Sequence, residues 1–338
     1  MPDTVGGAAG LYDRALGAYL GLAIGDALGA TVEFMRPREI QAQYGVHREI
    51  IGGGWLKLVR GQVTDDTTMS LALGEALLHG GPATLQAWVQ QHDTALVQGM
   101  ARALAGWLRN KPVDCGNTCR RGIQRYLADG SLSGPLNEGD AGNGALMRNL
   151  PVVLATLGDD AALESVSLAQ ARLTHHHPLS DAATVGLGRL LARLLLGHAD
   201  APAWIDAWTA RHPVFQFRPY RGRASAYVVD TVQTVLHGFT AQDDFEAALV
   251  STVNQGDDAD TTGALVGMLA GARCGAGRLP LRWLQRLPRD IVQSIADQTS
   301  GLLALRLAMA PQPMPAAWPG PGAPVSQPPA QEATHADV

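Results

Sequence analysis

Glycine recurs at every fourth position in two apolar segments of the chain. The two series are Gly17, Gly21, Gly25 and Gly29 in one segment and Gly263, Gly267, Gly271 and Gly275 in the other. Residues four apart share one face of an α-helix, so each series predicts a helix that another backbone can approach closely. Asp26 in the middle of the first segment and a mean hydropathy of +0.01 favour a packed helical core over a membrane span. We therefore expect no integral membrane segment.

Apolar residues elsewhere also recur at the spacing of a helix. Segments such as "MSLALGEALLHG" and "YVVDTVQTVLHGF" place them three and four residues apart. The sequence therefore predicts an all-α fold with one domain over residues 11–310. Residues 50–62 contain several glycines and predict a loop, and residues 80–105 predict helix, with His92-Asp93 on a solvated helix face. Residues 311–338 are rich in proline and lack periodicity, so we expect a disordered tail.

Charge and cysteine content exclude several classes of protein. The net charge of -5 argues against nucleic acid as the main partner, because phosphate binding needs a basic surface. Three cysteines without a C-x-x-C motif argue against a zinc site or a disulfide framework, and Cys115 and Cys119 are expected to be buried. The first 14 residues lack the pattern of a signal peptide. We therefore expect a reduced, cytoplasmic protein.

Two segments place several carboxylates directly before an apolar helix. "TDDTTMSLALGEALL" begins at Thr64, and "GDDADTTGA" spans residues 256–264. Helix capping explains one or two such side chains, because they accept hydrogen bonds from free N–H groups at a helix start. The segments supply more than that, namely Asp65, Asp66, Asp257, Asp258 and Asp260. If the two helix starts meet, these carboxylates repel one another unless cations lie between them, and oxygen ligands favour Mg²⁺ or Mn²⁺.

Five motifs in order resemble those of the ADP-ribosylglycohydrolase family. They are "GDALGATVEF" (25–34), "TDDTTMSLAL" (64–73), "GDAGNGALMRNLPV" (139–152), "THHHPLSDAA" (174–183) and "NQGDDADTTGALVGMLAGA" (254–272). The resemblance covers residues 11–310 and is closest to the branch that acts on dinitrogenase reductase, the iron protein of nitrogenase. It implies a compact all-α domain with a two-metal cleft that binds Mn²⁺ or Mg²⁺. The implied reaction is hydrolysis of the N-glycosidic bond between ADP-ribose and an arginine side chain. A PII-type regulatory partner is a further implication.

The resemblance also assigns roles to residues. The implied metal ligands are Thr64, Asp65, Asp66, Asp258, Asp260 and Thr261. Glu33 and Asp114 are the implied proton-transfer groups, and the implied substrate-binding residues are Asn117, Gly142, Asn143, Gly144, His175 and Tyr227. One position departs from the family pattern, because Asp257 stands where a second glycine is common. Aspartate tolerates a positive φ better than most residues do, so we expect the turn to persist.

Other interpretations of these residues remain open at the level of sequence. His175 could belong to a surface cluster at a helix start, with Pro178 in the first turn. Glu33 could be an ordinary paired acid, and Asn143 could serve only in a turn. The chain could also act on another ADP-ribosyl linkage or on acetylated ADP-ribose, or bind ADP-ribose without catalysis. The acids present in both metal motifs disfavour the last alternative.

Overall fold

The computed structural model describes residues 8–309, and within that range it contains α-helices, short 3₁₀ turns and two isolated bridges. The helices are α1 (Ala8–Gly29), α2 (Pro37–Tyr44), α3 (Asp65–Gln91), α4 (Ala95–Arg109), α5 (Asn117–Asp129), α6 (Leu150–Ala155), α7 (Asp160–Arg172), α8 (Pro178–Leu195), α9 (Ala201–Arg211), α10 (Val228–Ala241), α11 (Phe245–Val253), α12 (Ala259–Cys274), α13 (Leu281–Leu284) and α14 (Arg289–Ala308). They enclose one hydrophobic core. The all-α, single-domain prediction is confirmed, whereas the predicted tail at 311–338 lies outside the described residues.

The two glycine series face each other, and they pack α1 antiparallel against α12. A Cβ atom built on Gly25 would lie 2.0 Å from the carbonyl oxygen of Gly263, and one on Gly267 would lie 2.0 Å from that of Gly21. Real Cβ atoms do not approach so closely, so only glycine permits this contact between two backbones. The contact extends to Gly29, whose Cβ would lie 2.1 Å from the carbonyl oxygen of Ala259. The end of α1 is therefore held directly against the start of α12.

The predicted loop at residues 50–62 is confirmed, whereas the predicted helix at residues 80–105 is partly wrong. Residues 50–62 form a loop as predicted, with Gly53 and Leu58 paired through two backbone hydrogen bonds of 2.8 Å. The helix predicted over 80–105 is wrong in its middle: α3 has a break at Gly81 (φ 69°), and residues 92–94 separate it from α4. His92 and Asp93 are solvent-exposed, but they lie in this connection rather than on a helix face.

A membrane-spanning helix would need a long apolar stretch. None of the helices in residues 8–309 is long and apolar enough to cross a bilayer. The polar Asp26 in α1 is completely buried among protein atoms, as expected for a helix in a protein core.

Candidate active site

The first turns of α3 and α12 meet, which is the condition under which the sequence predicts cations between their carboxylates. The hydroxyl of Thr261 donates a hydrogen bond to Asp66 (3.2 Å), and that of Thr64 lies 3.5 Å from a carboxylate oxygen of Asp260. All four side chains are buried. Neither N-cap residue, Thr64 for α3 or Asp258 for α12, uses its side chain to cap its own helix. Neither helix start is therefore capped by the side chain of its own N-cap residue.

Asp26, which was not assigned a role from the sequence, caps α3 from a different helix. Its carboxylate accepts hydrogen bonds from the backbone N–H of Thr64 (2.9 Å) and of Thr67 (3.2 Å), and from both of their hydroxyls. These bonds join α1 to the start of α3. Because Asp26 accepts hydrogen bonds from N–H groups at this helix start, the side chains of Asp65 and Asp66 are not needed for capping and are free to face the space between α3 and α12.

Glu33 lies beside the aspartates of α12. It occupies the turn after α1, is 5% exposed, and accepts a hydrogen bond of 2.6 Å from the indole N–H of Trp55. One carboxylate oxygen from each of Glu33, Asp258 and Asp260 lies within 4.8 Å of the others. The interpretation of Glu33 as an ordinary paired surface acid is therefore wrong, because its neighbours are other buried acids.

Burial and mutual repulsion favour the protonated forms of these carboxyls. Burial, aided by the charges of neighbouring acids, raises the pKa of Glu33 to about 8 and the pKa values of Asp65 and Asp258 to about 7. The pKa values of Asp66 and Asp260 are raised for the same two reasons. Ionising all five groups without compensation is unfavourable, so the cluster requires protons or cations.

The cluster fits a divalent cation. The Oδ1 atom of Asp66 is buried and has no hydrogen-bond partner, so it is free to act as a ligand. Carboxylate and hydroxyl oxygens form the set that hard cations such as Mg²⁺ and Mn²⁺ prefer. The side chains that could hold such an ion are Glu33, Thr64, Asp65, Asp66, Asp258, Asp260 and Thr261. The acidic cluster comprises these residues.

Asp114 faces the acidic cluster from the connection between α4 and α5. The backbone N–H of Gly116 in that connection donates to Asp65 (3.3 Å), and the charge of Asp114 contributes to the raised pKa values of Asp65 and Glu33. Burial raises the pKa of Asp114 itself. Asn117 is the first residue of α5 and is exposed, and no hydrogen bond within residues 8–309 joins it to the acidic cluster. Its predicted contact with substrate stays a prediction.

A glycine-rich loop, which contains Gly142, Asn143 and Gly144, contacts the acidic cluster. The side-chain amide of Asn143 donates to Asp258 and to the hydroxyl of Thr231, so Asn143 does more than form a turn. A Cβ atom on Gly144 would lie 2.6 Å from the sulfur of Cys119 and 2.9 Å from the ring of His175, so this position requires glycine. Gly142 pairs with Tyr227, whose side chain is half-exposed.

His175 supports this loop from beneath. It is 2% exposed and its ring lies against Gly142 and Gly144, so the interpretation as a surface cluster is wrong for this residue. Burial first, and then the positive charge of Arg148, lowers the pKa of His175 to about 3, so the ring is neutral. Pro178 begins α8 as predicted, and Cys119 and Cys115 are buried free thiols as predicted.

The fold and the acidic cluster define a class of enzyme. The family model of the ADP-ribosylglycohydrolases matches residues 8–313. The chain therefore belongs to the ADP-ribosylglycohydrolase family, and it is a hydrolase.

Among its relatives, the chain is 53% identical to the ADP-ribosyl-[dinitrogen reductase] glycohydrolase of Rhodospirillum rubrum, over 87% of this chain and 97% of that protein. It is 30% identical to the ADP-ribosylarginine hydrolase Tri1 of Serratia proteamaculans, over 85% of this chain and 78% of that protein. A solved structure described as an ADP-ribosylglycohydrolase-related protein complex superposes with a TM-score of 0.73 at 32% identity, covering 88% of this chain and 99% of that chain.

Proposed function

We propose that this chain removes ADP-ribose from an arginine side chain of dinitrogenase reductase. The identity of 53% to a glycohydrolase named for that substrate, over nearly its full length, supports the choice of target. Similarity to an ADP-ribosylarginine hydrolase supports the choice of linkage. The observation on which the proposal rests is the acidic cluster between α3 and α12, because it places buried oxygen ligands and a candidate proton-transfer group together.

The proposal includes two divalent cations, Mn²⁺ or Mg²⁺. Thr64, Asp65, Asp66, Asp258, Asp260 and Thr261 would hold them, with Glu33 beside them. When bound, the cations would supply positive charge that holds the ribose hydroxyls in one orientation.

The chain's own carboxylates would move the protons. Water attacks the anomeric carbon of the ribose, the bond from that carbon to the guanidine nitrogen breaks, and the departing guanidine takes up a proton. Glu33 or Asp114 would accept the proton of the water or supply the proton of the leaving group. Trp55 holds the carboxyl of Glu33 through its indole N–H, which restricts the carboxyl to one orientation for this step.

The glycine-rich loop would bind the rest of the substrate. Gly142, Asn143 and Gly144 would line the ADP-ribose, with His175 fixing the loop from below. The half-exposed ring of Tyr227 offers a face on which adenine would stack, and Asn117 would contact the substrate from α5. The proposed target places the reaction in the cytoplasm. A PII-type partner stays a prediction from the resemblance.

The test is release of ADP-ribose from purified, ADP-ribosylated dinitrogenase reductase by the full chain with Mn²⁺. We expect release that stops when the metal is chelated and recovery of electron transfer by the target. An Asp66→Asn variant serves as the inactive control, because the substitution replaces one carboxylate oxygen with an NH₂ group and removes the negative charge without changing the size of the side chain. Release from acetylated ADP-ribose but not from the arginine linkage would refute the proposed substrate.

A further inference from the structure

Two exposed aromatic rings lie at the edge of the acidic cluster. Phe34 is 60% exposed and Trp55 is 50% exposed, and their ring centroids are 5.2 Å apart with an angle of 51° between the planes. Trp55 donates its indole N–H to Glu33, and Phe34 follows Glu33 in the chain. The aromatic pair therefore borders the candidate proton-transfer carboxyl and also contacts solvent.

The backbone holds Phe34 in a conformation that a bulky residue rarely adopts. Its φ is 62°, in the left-handed region. Two backbone hydrogen bonds fix this turn, from Phe34 N–H to the carbonyl of Asp257 (2.6 Å) and from Asp257 N–H to the carbonyl of Met35 (2.8 Å). Because most of the ring is exposed, packing in the core does not account for it. Strained residues of this kind cluster at binding and catalytic sites.

We propose that Phe34 and Trp55 form a subsite for the arginine side chain of the protein substrate. This proposal rests on the proposed function. A guanidinium group is attracted to the faces of aromatic rings, and the backbone of the exposed residue Asp257 is hydrogen-bonded to Phe34. The pair reaches the acidic cluster through the bond from Trp55 to Glu33, whereas the glycine-rich loop reaches it through the bond from Asn143 to Asp258. The arginine would therefore leave past Phe34 and Trp55 while ADP-ribose stays against the loop.

Substitutions of Phe34 test the subsite, because Phe34 makes no side-chain hydrogen bond to Glu33. Phe34→Leu keeps an apolar side chain and removes the aromatic face, whereas Phe34→Tyr keeps the face. Val59→Ala is the control, since Val59 is a 73% exposed apolar residue of the loop that carries Trp55, residues 50–62. For each variant, kcat/KM is measured on ADP-ribosylarginine, the Kd of free ADP-ribose is measured by calorimetry, and folding is checked by thermal unfolding.

We expect Phe34→Leu to lower kcat/KM roughly threefold to thirtyfold, the range of a cation–π contact, with the Kd of ADP-ribose unchanged. Phe34→Tyr and Val59→Ala should stay within about twofold of the unsubstituted chain. An unchanged kcat/KM for Phe34→Leu would overturn the subsite. A matching loss of ADP-ribose affinity would also overturn it, because the ring would then contact adenine or ribose. Failure of the unsubstituted chain to cleave ADP-ribosylarginine would instead refute the proposed function.

Discussion

The hydroxyl of Thr261 in the first turn of α12 donates a hydrogen bond of 3.2 Å to the carboxylate of Asp66 in the first turn of α3. The two residues are 195 positions apart in the chain. The acidic cluster therefore exists only when both helices are in place, and a cation that binds there is coupled to folding.

Removal of metal should abolish activity and lower stability. We expect the chelated protein to regain activity with Mn²⁺ or Mg²⁺, because the ions return to the acidic cluster. At a concentration about 100 times its Kd, a ligand specific to the folded state adds about 2.7 kcal/mol to the free energy of unfolding. Activity assays and denaturant unfolding with and without Mn²⁺ measure both effects. Full activity in excess chelator would contradict the metal assignment.

The stability of the chelated protein should fall as the pH rises from about 4 to about 8. The folded-state pKa values of Asp65 and Asp258 are raised to about 7 and that of Glu33 to about 8, so the folded state binds more protons than the unfolded state across this range. The free energy of unfolding therefore decreases with pH, since each pKa unit corresponds to about 1.4 kcal/mol. Unfolding of the chelated protein at several pH values measures this slope.

The same protons compete with the cations for the carboxylates. Saturating Mn²⁺ should therefore stabilise the protein by an amount that increases with pH over the same interval. A stabilisation by Mn²⁺ that decreases towards pH 8 would contradict this account of the acidic cluster.

Substitutions at Asp257 and Asp258 should separate a backbone role from a ligand role. Asp258→Ala removes a buried oxygen ligand and should reduce both metal content and activity. Asp257 is exposed, has a φ of 57° and contributes its backbone N–H and carbonyl to the Phe34 turn. Asp257→Gly preserves these groups and relieves the positive φ, so metal content should be unchanged. Elemental analysis of each variant measures its metal content and so separates the ligand role from the backbone role. Metal loss in Asp257→Gly but not in Asp258→Ala would show that the ligands are misassigned.

Asp26→Asn should destabilise the fold more than a matched substitution on the same helix. Asparagine offers one acceptor oxygen in place of a carboxylate, so the N–H groups and hydroxyls of Thr64 and Thr67 lose charge-assisted partners. Leaving such buried groups unsatisfied costs about 1–3 kcal/mol. Asp13→Asn is the control, because Asp13 is an exposed residue of α1 and asparagine can still accept the hydrogen bond that Asp13 accepts from the backbone N–H of Gly277 (3.1 Å). Denaturant unfolding compares the two, and equal effects would mean that Asp26 does not support the start of α3.

A methyl group between α1 and α12 should disrupt the core. In Gly25→Ala the new Cβ would lie 2.0 Å from the carbonyl oxygen of Gly263, and overpacking of this kind costs at least about 1–3 kcal/mol. Gly106→Ala in α4 has no atom within 4 Å of the new Cβ, so it should stabilise its helix by about 0.5–1 kcal/mol. Thermal unfolding measures both. A neutral result for Gly25→Ala would indicate that the two helices can separate without cost.

The sequence predicted the helices, because periodicity is local in the sequence. The meeting of the two acidic helix starts followed only from the resemblance to the family, because a contact between residues 195 positions apart leaves no local pattern. The sequence did not predict the role of Asp26, since a lone aspartate in an apolar helix gives no indication of its partners. The contact between Trp55 and Glu33 was also missed, because the tertiary path of residues 50–62 determines it. The interruption at residues 92–94 escaped detection because the surrounding residues favour helix, and only the left-handed conformation of His92 ends it.

The contact between the backbones of α1 and α12 has a consequence for the precision of the site. Side chains can change rotamer and absorb a shift, but two main chains in direct contact have no such adjustable spacer. The separation between the turn that carries Glu33 and the helix that carries Asp260 is thus a fixed length, set by the thickness of the polypeptide itself. Repacking of the core elsewhere can alter the stability of the domain while this length stays the same.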